Sequence, residues 1–415
     1  MMTSEEISYL ESEGGRMAVA DNLGRAPFDI ALDKNLPHAR LIASQVKYLT
    51  RAHRKLPSYY NAGCIVPPLA FEQSSGEEAA AMKTHSGALC IDLTCGLGVD
   101  SMNFSKRFDK VIAVEKDPAL CRIAQINFGR LRAGNIEVVN SCAEDFIRKF
   151  KEKGRKADLI YIDPDRRPGS EKKQVRLRDC SPDVVDLMPQ LKEIAGTVLV
   201  KASPLFDVDE AFRIFPGCSV ETVSAAGECK EVIIEYGSDT IPEIGAAVAG
   251  WGKISYPYPV PPGGTDEFGP QYAYMIIPDV AIRKSRLTEK YFSGLYPGAY
   301  ITPSDGYVFL RGAPGEPGEF EECWKHAETE KSVGTKSKKI PGKVFEISSM
   351  RPYRPRELRE ELAARGIKSA NIYLHGFPLT TERICRDLRI KEGGKARLAF
   401  TVIGGALWSV ELVSC

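Results

Sequence analysis

Ile91-Asp92-Leu93-Thr94-Cys95-Gly96-Leu97-Gly98-Val99-Asp100 is the stretch on which the fold turns. An apolar run, Ala88–Leu93, carries an acid near its end, passes through two glycines and enters a helical stretch, Ser101–Phe108. Glycines at such a turn let backbone approach a ligand at the carboxyl edge of a parallel sheet. The same alternation continues downstream. Lys110–Glu115, Ile136–Val139, Asp158–Ile162 and Thr197–Lys201 read as short buried strands, with helices over Pro118–Arg132, Ala143–Lys153 and Asp183–Ala195. Apolar strands alternating with helices predict a parallel sheet covered on both faces. Ser219–Ser224 and Glu231–Tyr236 are joined by a link too short for a crossover helix, so the last strand is expected to run antiparallel.

Upstream, residues 1 to about 60 read as helical, and Arg40 to Leu56 is long and basic, with no Gly or Pro until Pro57. Ser74 or Ser75 is placed to cap a helix over Gly76–Lys83. Downstream, 237–272 is rich in Pro and Gly and reads as a connector rather than core. A small unit follows, with a strand at Tyr274–Ile277, a helix at Val280–Phe292 and a strand at Tyr307–Leu310. Residues 312–342 read as an exposed loop or linker. From 343 the order is Val344–Ser348 (strand), Pro355–Arg365 (helix), Ala370–His375 (strand), Thr380–Leu388 (helix), Ala396–Ile403 and Gly405–Leu412 (strands). The expected division is 1–69 helical, 70–237 α/β, 238–320 connector plus small unit, 321–342 linker and 343–415 α+β.

Acids at neighbouring strand ends carry the chemistry. After Asp92 and the Cys95-Gly96-Leu97-Gly98 turn, the next strand ends Val114-Glu115-Lys116-Asp117, where an acid can accept both hydroxyls of a ribose. The fourth strand ends Tyr161-Ile162-Asp163-Pro164-Asp165-Arg166-Arg167. Such residues converge on one crevice where the strand order reverses.

In this order, the three motifs resemble the class I S-adenosylmethionine (SAM) dependent methyltransferases over roughly residues 70–237. The resemblance implies a Rossmann-like α/β sheet, parallel with one terminal antiparallel strand, and SAM as cofactor. Asp92, Cys95, Gly96 and Gly98 match the glycine-rich motif, Glu115 with Lys116 the ribose site, and Asp163-Pro164 the motif beside the transferred methyl. In the third motif the expected acid falls on Cys142, leaving Ala143 and Asp145 as adenine contacts. Phe71 and Gln73 stand where related enzymes cover the methionine end of the cofactor; helix capping and core packing is the other reading of that segment. A nicotinamide dehydrogenase is disfavoured, because its third glycine falls at Ser101 and it usually lacks the terminal hairpin.

The fourth motif lacks the second proline and the aromatic residue typical of enzymes that methylate exocyclic base nitrogens. It is closer to the Asp-Pro-x-Arg of RNA 5-methyluridine methyltransferases. Those use a cysteine at the next strand end, where this chain reads Val200-Lys201-Ala202-Ser203-Pro204, so covalent cysteine catalysis is not expected unless Cys180 or Cys229 is brought in. Catalytic roles fall to Asp163, Pro164 and Arg166. Arg166 and Arg167 are open to two readings, a clamp on substrate phosphate and structural salt bridges. Lys201 faces the same crevice, fits either reading and joins Arg167 as an RNA-binding candidate.

The whole chain of 415 residues has 56 Lys+Arg against 55 Asp+Glu, a net +1 that taken alone argues against a nucleic-acid partner. The sum hides a local excess: 343–415 holds 13 Lys/Arg and 8 Asp/Glu, a balance of +5. Arg383, Arg386 and Arg389 recur every three residues, as one helix face would, followed by Gly393-Gly394 and Lys395. This is either a phosphate-following surface or a solvated face. With the rest of the chain it resembles a bacterial methyltransferase family with a ferredoxin-like unit and a C-terminal THUMP-like domain, which implies RNA, tRNA or rRNA, as substrate. The rival readings are a methyltransferase of a small molecule or protein, and an RNA-binding protein that keeps the fold without turnover. The 11 scattered Cys, with no CxxC pair, suggest a reduced, cytoplasmic protein, and no zinc-ligand spacing occurs. No secretory signal or membrane span is expected.

Overall fold

The computed structural model describes residues 2–166, 177–237, 241–269, 271–314 and 340–414. These cluster into two compact units, 1–225 with 230–242, and 243–415 with 226–229.

The first unit opens with seven helices: α1 Ser4–Glu11, α2 Glu13–Asp21, α3 Pro27–Ala31, α4 Ala39–Lys55, α5 Pro57–Asn61, α6 Pro68–Gln73 and α7 Glu77–Ala81. Thr3 and Glu6 cap α1 reciprocally, each side chain accepting the other's backbone N–H. In α4, Ile42, Val46, Leu49 and Ala52 recur at helical spacing and are buried. The expected serine cap on α7 is not made. Gly76 stands at its N-cap without a side-chain bond, and Ser75 turns its hydroxyl to Asp100 instead.

The α/β part then runs β1 Gly87–Asp92, α8 Val99–Phe104, β2 Phe108–Glu115, α9 Pro118–Arg130, β3 Ile136–Asn140, α10 Ala143–Glu152 and β4 Ala157–Ile162. It continues through a two-residue ladder, β5 Asp165–Arg166 with β6 Cys180–Ser181, into α11 Val184–Ile194, β7 Ala195–Ala202, α12 Val208–Ile214, β8 Ser219–Ala225 and β9 Glu228–Gly237. Within this unit the strand order is β3-β2-β1-β4-β7-β9-β8. The first five strands are parallel and β9 runs antiparallel to β7. This is the expected sheet with its reversed strand. Helix α12 was not anticipated.

The helical segment is part of the same body as the sheet. Ile7, Ile42, Val46, Leu49 and Tyr59 share one core with Leu97, Val99 and Ile123. Asn127, fully buried on α9, closes a two-bond clamp on the chain entering the sheet: Ile65 N–H donates to its Oδ1 at 2.8 Å and its Nδ2 donates to Ile65 O at 2.9 Å.

In the second unit, β10 Glu243–Val248 and β11 Gly252–Pro257 form an antiparallel hairpin. This corrects the expectation of a connector: Ile244, Ala246 and Ala247 are buried, a short core strand obscured by the Gly- and Pro-rich stretch around it. Next come β12 Tyr274–Pro278, α13 Val280–Lys284, α14 Thr288–Leu295, β13 Tyr300–Ile301 and β14 Val308–Leu310. The single helix expected over 280–292 is broken at Arg286, which takes a left-handed φ of 56°. Then follow β15 Gly342–Pro352, α15 Pro355–Ala364, β16 Ser369–His375, α16 Thr381–Leu388, β17 Lys391–Glu392, β18 Ala396–Ile403 and β19 Ala406–Ser414. One sheet, β13-β14-β12-β15-β19-β18-β16-β17, takes strands from both sides of residue 320. Among the described residues, no helix is long and apolar enough to cross a membrane.

Replacing Asn127 by Ala strands a buried N–H and a buried carbonyl of Ile65. The expected outcome is a lower denaturation midpoint, equivalent to about 2–4 kcal/mol. Chemical denaturation followed by circular dichroism checks it; an unchanged midpoint would remove the clamp from the account.

Candidate active site

The crevice is built from the carboxyl ends of β1, β2, β4 and β7. Asp92 closes β1 with 1% of its surface exposed. Its Oδ1 accepts from Thr94 N–H at 3.0 Å and its Oδ2 from the Ser101 hydroxyl at 2.5 Å. Burial raises its pKa to about 7, against the pull of those two hydrogen bonds. The turn that follows needs its glycines for different reasons. Gly96, at φ +55°, has open space where a side chain would stand. Gly98, at φ +85°, leaves no such room, because a Cβ would lie 2.4 Å from Phe128 Cζ. Cys95 points into the core with Ala113, Ala124 and Phe128, and burial pushes its thiol up.

Glu115 ends β2 and is held by the turn it faces. Its Oε2 accepts from Gly96 N–H and its Oε1 from Asp117 N–H, each at 2.8 Å. Lys116 beside it is exposed. Asn140 at the end of β3 donates to Glu115 O at 2.8 Å and to Lys116 O at 3.2 Å, locking the neighbouring strand end. Beyond β3, Cys142 caps α10 by accepting from Asp145 N–H at 3.5 Å. Ala143 is buried, and Asp145 is exposed and ion-paired with Arg148 at 2.6 Å.

Asp163 is anchored across the crevice, its N–H donating to Thr94 Oγ1 at 2.7 Å. Its carboxylate is ion-paired and hydrogen-bonded to Lys201 Nζ, from the end of β7. Pro164 is half-buried beside it. Arg166 lies on β5 with its backbone opposite Cys180, a thiol that is 3% exposed; Arg167 lies outside the described residues. Cys229 stands near the start of β9.

Behind the pair lies an array of charge that the sequence reading missed. Lys83 is fully buried between Asp100, whose Oδ1 is 3.0 Å from Nζ, and the carboxylate of Glu231 on β9. Asp100 Oδ2 also accepts from Ser75 Oγ at 2.7 Å and from Tyr161 OH at 3.0 Å. Lys201 has only 12% of its side chain exposed. Burial works against its charge, but Asp163, Asp100 and Glu231 together hold its pKa above the usual lysine range. Lys83 is likewise held above its ordinary value by Asp100 and Glu231, in opposition to burial. Two ammonium groups thus face three acidic side chains, Asp100, Glu231 and Asp163. Open space at Gly96, the Glu115 side chain at the end of β2 and the cluster of acids at the neighbouring strand ends fit a cationic cofactor with a ribose, such as SAM. Asp92, Glu115 and the Gly96 turn would hold it.

The two proposed cover residues part company. Phe71 is 2% exposed, packs edge-on to Tyr48 at 5.8 Å between ring centres, and its carbonyl accepts from Lys55 Nζ at 2.6 Å. Gln73 is exposed.

Comparison with known proteins agrees with this geometry. Residues 78–176 match the family described as conserved hypothetical protein 95, and residues 342–411 match the THUMP domain-like family. A solved structure described as a putative methyltransferase, from Porphyromonas gingivalis W83, superposes with a TM-score of 0.75 at 20% identity, covering 100% of this chain and 99% of that one. The chain has a class I methyltransferase fold with a C-terminal THUMP-like domain. A Streptococcus mutans protein named "Uncharacterized RNA methyltransferase" is 27% identical over 125 residues, 28% of this chain and 28% of that protein. A "tRNA/tmRNA (uracil-C(5))-methyltransferase" of Musicola paradisiaca is 27% identical over 138 residues, 28% of this chain and 37% of that protein. The match therefore spans little more than a third of these relatives' length at most.

In the THUMP-like domain much of the basic excess is locally neutralised. Arg354 pairs with Glu357, Arg356 with Glu360, Arg365 with Glu361 and Glu411, and Arg383 with Asp387. The shared helix face expected for Arg383, Arg386 and Arg389 holds for the first two only. Arg389 is the C-cap of α16 in the left-handed conformation, φ 56°, so its side chain leaves the helical register. Arg386, Arg389 and Lys395 are exposed and have no ion-pair partner among the described residues.

Removing the ammonium of Lys83 as Lys83→Met leaves two buried carboxylates short of a counter-charge. The expected cost is about 3–5 kcal/mol in unfolding free energy near neutral pH. Carboxylates stranded in this way take up protons more readily folded than unfolded. The deficit relative to the native chain therefore narrows as pH falls. Denaturant midpoints at pH 5 and pH 8 check both the size and the sign.

Proposed function

We propose that the chain is a SAM-dependent methyltransferase that modifies a base of a structured RNA, tRNA or rRNA, in the cytoplasm. The observation that carries this reading is the Asp163–Lys201 pair at the crevice, a carboxylate hydrogen-bonded to a nearly buried ammonium beside a turn open to a ribose-bearing cofactor. The relatives named for RNA methylation and the THUMP-like domain support RNA as the substrate class.

SAM supplies a methyl group on a sulfonium, so transfer forms one bond to the acceptor, breaks the carbon–sulfur bond and leaves a neutral thioether. Little acid–base assistance is then needed, and alignment of the acceptor with exclusion of water dominates. Asp163 accepts a hydrogen bond from an N–H of the acceptor and counters the positive charge it gains, and the proton that the methylated nitrogen then loses passes to water. Pro164 stiffens the segment that presents it. Lys201, ion-paired with the carboxylate, limits its rotation. Arg166 and Arg167 are assigned to substrate phosphate. With Cys180 buried and no cysteine at the end of β7, the reading uses no covalent enzyme–base step.

The test is methyl transfer from labelled SAM into RNA from cells lacking this protein, followed by identification of the modified nucleoside. Asp163→Ala is expected to lower transfer at least about a hundredfold while SAM affinity stays within a few-fold. Full activity in that variant rejects the role given to Asp163, and RNA binding without transfer by the native chain rejects an enzyme.

The pKa of Asp92 makes a further prediction for cofactor binding. Only its carboxylate form favours a cationic ligand, so SAM affinity is expected to rise with pH, by about tenfold between pH 6 and pH 8. Asp92→Asn should bind more weakly and lose that dependence. Calorimetry across the pH range decides it.

A further inference from the structure

Helix α4 carries no Asp or Glu and five Lys/Arg: Arg40, Lys47, Arg51, Arg54 and Lys55. At 100° per residue these positions fall within an arc of about 100°, opposite the buried face of Ile42, Val46, Leu49 and Ala52. Arg40, Lys47, Arg51 and Arg54 are exposed. Glu72 answers Arg51; the other four have no ion-pair partner among the described residues. Aromatic rings are interleaved with the charge. Tyr48 lies under Lys47 and Arg51 at 5.4 and 5.3 Å, and Phe71 under Arg51 and Lys55 at 5.2 and 4.8 Å.

The stripe has a direction. At its C-terminal end Lys55 Nζ donates to Phe71 O at 2.6 Å, and Ser75, four residues past Phe71, delivers its hydroxyl to Asp100 beside Lys83. Tyr59, on α5 just beyond, donates to Leu97 O in the glycine turn at 3.2 Å. Burial lowers Lys55 to about 8, and Lys201 of the catalytic pair is among the cations whose charge it feels. The stripe therefore runs about 22 Å along the first unit and ends at the mouth of the crevice.

We propose that this face of α4 is a docking track for the phosphate backbone of the substrate RNA, leading the strand to Asp163. The inference rests on the RNA-methyltransferase reading and adds a surface to it. A row of cations without acids, on a rigid helix beside the reacting centre, complements a run of phosphates, which bind by charge rather than by base identity. Its alternatives are a solvated helix face and a protein-binding face. The stripe lies wholly in the first unit and needs no contribution from the THUMP-like domain.

The experiment uses the full chain and a fluorescein-labelled, unmodified tRNA transcript, with affinity read by anisotropy over a range of salt. Lys47→Ala combined with Arg54→Ala is expected to weaken binding about tenfold at low salt and to reduce the slope of log affinity against log salt by about two. Charge reversal, Lys47→Glu with Arg54→Glu, should weaken it further. SAM affinity and the circular dichroism melt should match the native chain, since both side chains are exposed and neither bonds the cofactor turn among the described residues. If the native chain binds RNA and both double variants show its affinity and salt slope, the track is wrong while the RNA reading stands. If the native chain neither binds the transcript nor methylates RNA, both are wrong.

Discussion

The ammonium of Lys83, shut away from water between Asp100 and Glu231, constrains much of the first unit. A buried charge is tolerated only where partners reach it with good geometry. Here the partners come from far apart in the chain. Lys83 follows the pre-sheet helices, Asp100 opens the helix after the glycine turn, and Glu231, 148 residues from Lys83, lies on the reversed strand β9. Ser75 and Tyr161 complete the shell around Asp100. The array is satisfied only when the helical segment, the parallel strands and the antiparallel hairpin are all in place. It is therefore a check on assembly as much as a source of stability.

The same array sets the electrostatics of the crevice. Lys201 stands between the buried carboxylates and Asp163, and three acids outweigh its own desolvation. Asp163 is fixed in direction by its ion pair with Lys201 and by its backbone N–H, which is tied to Thr94. On the other side, Glu115 does for the glycine turn what Lys201 does for Asp163, bracing it with bonds from Gly96 and Asp117. Preorganisation of this kind matters most for a reaction that depends on alignment more than on proton transfer.

Much of this was legible in the sequence, and for definite reasons. Strand ends marked by Asp92, Glu115 and Asp163 announce themselves because each apolar run stops at an acid, and the short link before Glu231 announces the reversed strand. Other features were hidden. Ser75 looks like a helix cap because cap chemistry is local, yet its hydroxyl serves a carboxylate 25 residues away. Arg389 keeps the three-residue spacing of Arg383 and Arg386 but takes a left-handed cap conformation that spacing cannot register. The hairpin over 243–257 was masked by the glycines and prolines around it. The basic stripe of α4 was visible as composition; its orientation toward the crevice was not.

The sequence by itself determined the alternation of apolar strands and helices, the polar residues at the strand ends and hence the crevice where they meet. These are properties of neighbouring residues, expressed through backbone geometry and burial of one face. Only the tertiary structure decided which charges meet: that Lys201 pairs with Asp163, that Lys83 is buried between two acids, and that most of the THUMP-like domain's arginines are answered by nearby carboxylates while, among the described residues, four of the five cations of α4 are not. Coulomb energy depends on separation in space and on the surrounding dielectric, and neither quantity is written in the order of residues along the chain.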